Sequence, residues 1–179
     1  MKNRKLPLNM TPSVKEALKY KESGSGRNAI GLARKGFLVT AVDKNKEKLS
    51  LLKIRARELG VKLTTKYADI KRLRLSTKYD IMIATMILHF LDEGQVSKAI
   101  SMMQKYTKAE GLNIVSVFTD KHPVGTRPYL FKKNELKKYY LDWKILKYEE
   151  KLSRKFFSSR TNTFVRQHRA VLIAQKIKK

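Results

Sequence analysis

The sequence predicts a doubly wound α/β fold: a mostly parallel sheet with helices on both faces, ending in an antiparallel pair of strands. Three observations carry this. Strand-like and helix-like segments alternate along the chain, and two strand-like stretches close it. Between them stands one compact unit, Ser23 to Asp43 (SGSGRNAIGLARKGFLVTAVD), which reads as a glycine-rich turn, a helix, a glycine stop and a strand ending in a carboxylate.

In that unit Gly24 and Gly26 can take positive φ and let a ligand approach the backbone, and the helix from Arg27 to Lys35 turns its free N–H groups toward the turn. Gly36 stops the helix, and Phe37 to Val42 is the strand. Asp43, at the strand's carboxyl end, lies where an acid can accept hydrogen bonds from both hydroxyls of a ribose. A Gly-x-Gly before a helix is common, so a capped turn without a ligand is an equal reading of the glycines alone. The order turn, helix, strand, acid is what points to a nucleoside-containing cofactor.

At 179 residues the chain predicts one domain, residues 1–179, with a substantial core. Its hydrophobic content, 42%, suits a folded protein, and no apolar run approaches the roughly 20 residues that span a bilayer. The leading MKNRKLPLNM is basic but lacks the apolar core of a secretory signal, so the expectation is a soluble, cytoplasmic protein. With no cysteine, disulfides, thiolate metal sites and a cysteine nucleophile are excluded. His89, His122 and His168 are too scattered in sequence to predict a metal site.

Forty-one Lys and Arg against 15 Asp and Glu give a net charge of +26. Such a field attracts any polyanion, nucleic acid or an anionic membrane surface included, and speeds capture of small anions. The competing reading is a solvated lysine-rich surface, because the charge is spread along nearly every helix with no dense basic tract.

Taken in order, Thr11-Pro12 opens a short helix to about Tyr20, with Thr11 as N-cap and Pro12 at the first helical position. Lys44 to Leu59 is an amphipathic helix carrying Leu49, Leu52, Ile54 and Ala56, ended by Gly60 and expected to cover a sheet face. Val61 to Tyr67 alternates as a strand. Asp69 follows it, where a loop or helix cap is one reading. Tyr79-Asp80 opens the apolar strand Ile81 to Thr85, a run suited to burial on both faces of a parallel sheet. Gln95 to Tyr106 is a second amphipathic helix, Glu110-Gly111 a turn, and Leu112 to Phe118 a further buried strand. A turn-rich loop (Thr119 to Tyr129) precedes a helix (Lys132 to Leu141). Trp143 to Glu150 and Arg166 to Ala174 are the final strands, joined by a basic link, Ser153 to Thr163.

Gly26-Arg27-Asn28-Ala29, AVDKN (Ala41 to Asn45), ADI (Ala68 to Ile70) and IATMILHFL (Ile83 to Leu91) resemble the class I S-adenosylmethionine (SAM) dependent methyltransferases, and among them the tellurite-resistance, TehB-like branch. The likeness runs from about Thr11 to Lys176. It implies a Rossmann-like fold, SAM as cofactor, and a cofactor site formed by Gly24, Gly26, Arg27, Asn28, Asp43, Lys44, Asp69, Ile70 and Thr85. Asp69 would meet the adenine amino group and Ile70 pack on the ring. The substrate side would be lined by His89, Phe90, His122, Arg127, Tyr129 and Phe131, with Arg160, Arg166 or His168 holding an anion. For His89, a packing or hydrogen-bonding role stands beside substrate contact.

The chain departs from the family pattern in one place. Between Tyr20 and Gly26 there is no room for the family's first, central strand and its turn. Either Ala17 to Lys21 is a degraded strand, or about ten residues are absent; absence is favoured, since Lys19 and Lys21 would be expensive to bury in a central strand. Such a loss weakens cofactor binding.

Methyl transfer from a sulfonium needs little acid–base machinery, so the missing catalytic dyad is no objection. The leading expectation is transfer to a small acceptor of the chalcogen or thiol kind. The alternatives are a catalytically impaired methyltransferase-like fold acting as a basic binding module, and a nucleic-acid methyltransferase. A vacant strand position also leaves homo-oligomerisation open.

Overall fold

The computed structural model describes residues 26–122, 127–153, 155–158 and 162–178. The expected helix after Thr11, the region of the missing strand, Gly24 and Arg160 lie outside them. The chain divides into two units, one ending at Leu73 and the other beginning at Arg74.

In the first unit, Gly26 is the N-cap of helix α1 (Arg27–Ala33) and has φ 76°. Strand β1 (Thr40–Asp43) follows, then helix α2 (Lys46–Glu58) and strand β2 (Thr64–Tyr67). β1 and β2 pair in parallel, with Asp43 opposite Tyr67. The expected strand from Phe37 begins only at Thr40; Leu38, its most apolar early residue, is fully exposed. Asn45 caps α2 by accepting from the Lys48 N–H at 2.9 Å, and Gly60, at φ 64°, follows its last turn.

Helix α2 packs on β1 and β2, as its pattern predicts. Its buried stripe is Leu49, Leu52 and Ala56; Ile54, expected in that stripe, is exposed. The spacing i, i+3, i+7 explains the correction, since Ile54 lies two residues from both Leu52 and Ala56 and so points away.

The second unit is built on a four-stranded sheet of order β3-β4-β8-β5. β3 (Tyr79–Thr85) runs parallel to β4 (Thr107–Phe118); β8 (His168–Lys176) is antiparallel to both β4 and β5 (Trp143–Leu152). The terminal antiparallel pair is therefore present as expected. Helix α3 (Glu93–Lys105) closes a capping box in which Asp92 and Gln95 exchange hydrogen bonds, and it buries Val96, Ala99, Ile100 and Met103. The core lies where that helix meets β4, whose Val115 and Val117 are fully buried.

Several expectations change here. β3 is not buried on both faces: Ala84 is its one buried residue, and among the described residues only β4 pairs with it. Glu110-Gly111 is not a turn between elements but a bulge within β4: pairing moves from Tyr79 to Ile81 on β3 while β4 advances from Thr107 to Leu112. A Cβ on Gly111 would sit 2.8 Å from the Asp80 carbonyl, which is why glycine occupies that bend. The helix expected over Lys132 to Leu141 is one turn, α4 (Glu135–Lys138), started by Asn134 at φ 60°. The link after Ser153 contains a hairpin of β6 (Phe156–Ser158) and β7 (Thr163–Val165).

A buried polar chain crosses this core. Thr107 Oγ1 lies 2.7 Å from both the Met103 carbonyl and the Asn113 side-chain oxygen, and Asn113 Nδ2 donates to the Tyr140 hydroxyl at 3.1 Å. All three side chains are fully buried, so each polar atom depends on the others.

Candidate functional site

In the first unit, two carboxylates stand at the carboxyl ends of adjacent parallel strands. Asp43 ends β1 and is half-buried; its Oδ1 accepts from the Asn45 N–H at 2.9 Å. Asp69 comes two residues after β2 and is likewise half-buried. Its Oδ1 accepts from the Lys71 N–H at 3.0 Å, capping a 3-10 turn (Ile70–Arg72). The cap reading of Asp69 is thus correct as far as it goes. Each carboxylate spends one oxygen on its own backbone, and its other oxygen accepts no hydrogen bond from the described residues. Ile70, beside Asp69, is half-buried and Lys44, beside Asp43, is exposed. This set suits a nucleoside: a carboxylate oxygen at each strand end left for hydroxyl or amino groups, with an apolar side chain following Asp69.

Gly26, Arg27 and Asn28 form the N-cap and first turn of α1. Gly26 has a second role that sequence reading missed. A Cβ there would lie 2.5 Å from Leu52 Cδ1, so the glycine also admits α2 against the turn. A cavity of about 420 Å³ lies elsewhere, lined by Lys53, Arg57, Gly60 and Lys62 among others. That is the amino end of β2, away from the edge where open α/β sheets bind ligands.

In the second unit, Thr85 ends β3, and Met86 directly after it has φ 56°, a rare conformation for a long side chain. The chain then turns through a 3-10 segment, Leu88–Phe90, which buries His89. The His89 ring contacts Phe90 (centroids 4.4 Å apart) and Phe118 (4.2 Å), and Phe118 meets His122 edge-on at 4.0 Å. The Arg127 guanidinium lies 5.5 Å from the Phe90 centroid and 5.7 Å from that of Phe118. His89, Phe90, His122 and Arg127, four of the expected substrate-side residues, are therefore one cluster.

Burial first, then the neighbouring Arg127 and His122, lower the His89 pKa to about 4, so its imidazole is neutral at physiological pH. His89 Nδ1 is buried and has no hydrogen-bond partner among the described residues; nor has Ser116 Oγ, on β4. A buried polar atom without a partner is costly, which makes these two atoms candidate contacts for a bound molecule.

The other expected residues do different work. Phe131 is fully buried, its N–H bonded to the Phe118 carbonyl, and Tyr129 meets it edge-on while donating to Glu135. The Phe131 backbone thus joins the cluster at Phe118, and Tyr129 packs on Phe131. His168 Nδ1 lies 2.5 Å from Thr119 Oγ1 and fixes the start of β8 to the end of β4; Arg166 is exposed. Phe118 was missed because the last residue of an apolar strand reads as core. Ser116 gave no signal either, as a lone serine in a buried run.

The parallel β1–β2 and β3–β4 pairs and the antiparallel end agree with the Rossmann-like fold of SAM-dependent methyltransferases, on which the chain superposes. Within that class, the model of the tellurite resistance protein TehB family matches residues 13–168. The chain belongs to the TehB family.

A protein of Haemophilus influenzae (strain 10810) named probable S-adenosyl-L-methionine-dependent methyltransferase TehB is 28% identical over 156 residues, which are 86% of this chain and 54% of that one. A protein of Eikenella corrodens named hemagglutinin 1 is 37% identical over 131 residues, 71% of this chain and 43% of that one. The crystal structure of TehB from Haemophilus influenzae superposes with a TM-score of 0.78 at 27% identity, covering 86% of this chain and 55% of that chain. The chain thus spans about half the length of the curated relatives it matches.

Proposed function

We propose that this chain binds SAM and transfers its methyl group to a small acceptor of the chalcogen or thiol kind. The observation that carries the reading is the pair of half-buried carboxylates, Asp43 and Asp69, at the ends of adjacent parallel strands in a chain of the TehB family. SAM, when bound, supplies a methyl group made electrophilic by its sulfonium. Asp43 accepts from the ribose hydroxyls, Asp69 from the adenine amino group, and Ile70 covers the ring; Gly26, Arg27, Asn28 and Lys44 complete the cofactor side in the first unit.

On the substrate side, Arg127 holds negative charge on the acceptor, and Phe90 and Phe118 keep water from it. His89, neutral, offers Nδ1 as a hydrogen-bond partner to the acceptor's protonated atom. The catalytic contribution is orientation in a dry site rather than a covalent step. The test is release of S-adenosylhomocysteine when the protein is given SAM with tellurite, selenite or a simple thiol. Turnover with one of these that is lost in Arg127→Ala supports the reading; no turnover with any of them while SAM binds would remove the acceptor class.

A second reading has its own observation. Among the described residues β1 pairs only with β2, and β3 only with β4, so the family's central strand has no counterpart there. Without that floor SAM is held weakly, and the fold acts as a catalytically impaired, basic binding module. Absence of saturable SAM binding by the chain would favour it.

A further inference from the structure

The β6–β7 hairpin carries two large apolar side chains on the outside of the second unit. Phe157 and Phe164 are register partners, their rings 5.6 Å apart and edge-on at 75°, and they are 54% and 71% exposed. Neither contributes to the core. The hairpin is held at its base, where the Ser153 N–H donates to the Gln167 carbonyl at 2.8 Å and the Gln167 N–H to Ser153 Oγ at 2.9 Å. Lys155 directly precedes β6 and Arg166 directly follows β7, and both are exposed. No Asp or Glu occurs in the sequence after Glu150.

We propose that this hairpin is a docking platform for single-stranded nucleic acid, with bases stacking on Phe157 and Phe164 and the backbone phosphates meeting Lys155 and Arg166. Two exposed rings fixed against each other, flanked by cations and free of acidic neighbours in sequence, match what a flexible polyanion with flat bases requires. Chain charge supports the choice, since +26 attracts such a partner from a distance. An anionic membrane is the competing occupant. The connection between the strands is polar throughout in sequence (Ser159 to Asn162, SRTN), whereas a membrane-inserted loop carries an apolar tip. The proposal does not depend on methyl transfer.

The test is fluorescence anisotropy of the full chain with a labelled oligothymidylate of about 20 nucleotides and an abasic oligomer of the same length, at several salt concentrations. Oligothymidylate should bind more tightly than the abasic strand. The double variant Phe157→Ala/Phe164→Ala should lose about tenfold or more of that affinity with little change for the abasic strand, while Phe157→Trp/Phe164→Trp retains it. Lys155→Gln/Arg166→Gln should weaken both and lower the slope of log affinity against log salt by about 1.4. Equal affinity for the two oligomers, or no loss in the alanine variant, would reduce the binding to general charge and overturn the platform. Binding to phosphatidylserine vesicles that falls in the alanine variant while oligothymidylate binding stays constant would assign the surface to a membrane instead.

Discussion

The His89 ring lies 4.2 Å from the ring of Phe118, in a site where burial, Arg127 and His122 all oppose its protonation. The sign of the pH effect follows. The pKa is about 4 when folded and about 6.5 when unfolded, so the unfolded chain takes up the proton first as pH falls. Stability should therefore be full above about pH 6.5 and decline toward pH 4, by on the order of 3 kcal/mol. Urea unfolding across that window tests it, with His89→Gln as reference. The difference between the two proteins should change with pH; a constant difference would mean that His89 titrates normally.

Gly26→Ala should cost more than Gly60→Ala. Both glycines have positive φ, at about 1–2 kcal/mol for a side chain. Nothing lies within 4 Å of a Cβ at Gly60, whereas at Gly26 it collides with buried Leu52. Thermal denaturation should place Gly26→Ala about 1 kcal/mol below Gly60→Ala, in the range for overpacking. Equal losses would show that Leu52 moves aside freely.

Tyr140→Phe should destabilise by about 1–2 kcal/mol, because it removes the hydroxyl partner of Asn113 in a dry core. Adding Asn113→Leu should cost less than the sum of the two single changes, since the amide left without a partner is then gone. Strict additivity in denaturant melts would contradict the coupling.

Arg127→Lys should raise the acceptor KM about tenfold while SAM affinity stays unchanged. Lysine keeps the charge but not the planar group that lies over Phe90 and Phe118. An equal loss of SAM affinity would move Arg127 to the cofactor side.

Much of this was legible because local chemistry and fold agree. Gly60 and the apolar period ahead of it give α2 its end and its stripe, and the run from Leu112 to Phe118 gives the second part of β4. Asp92 and Gln95 are a readable capping box, yet the start of α3 was set at Gln95 because the apolar pattern begins only at Val96. Glu110-Gly111 carries a turn signature that here serves a bulge, and only pairing with β3 distinguishes the two. The β6–β7 hairpin was hidden because its strands are three residues long and the sequence between them is basic and polar.

Among the candidate residues, Asp43 and His89 stand out by residue type and position near strand ends, and Asp69 and Arg127 through the resemblance to the family. Phe118, Ser116 and the turn at Met86 do not, since each depends on what tertiary packing brings beside it.

Cofactor binding through Asp43 is tested most directly by titration calorimetry of the purified chain with SAM and S-adenosylhomocysteine, beside the variant Asp43→Asn. Asparagine keeps an oxygen for the Asn45 N–H, so the loop is preserved, but it loses the charge that two ribose hydroxyls would share. Saturable one-site binding by the parent chain, weakened about tenfold or more in Asp43→Asn, is the predicted result. No binding by the parent chain, or equal binding by both, would contradict it.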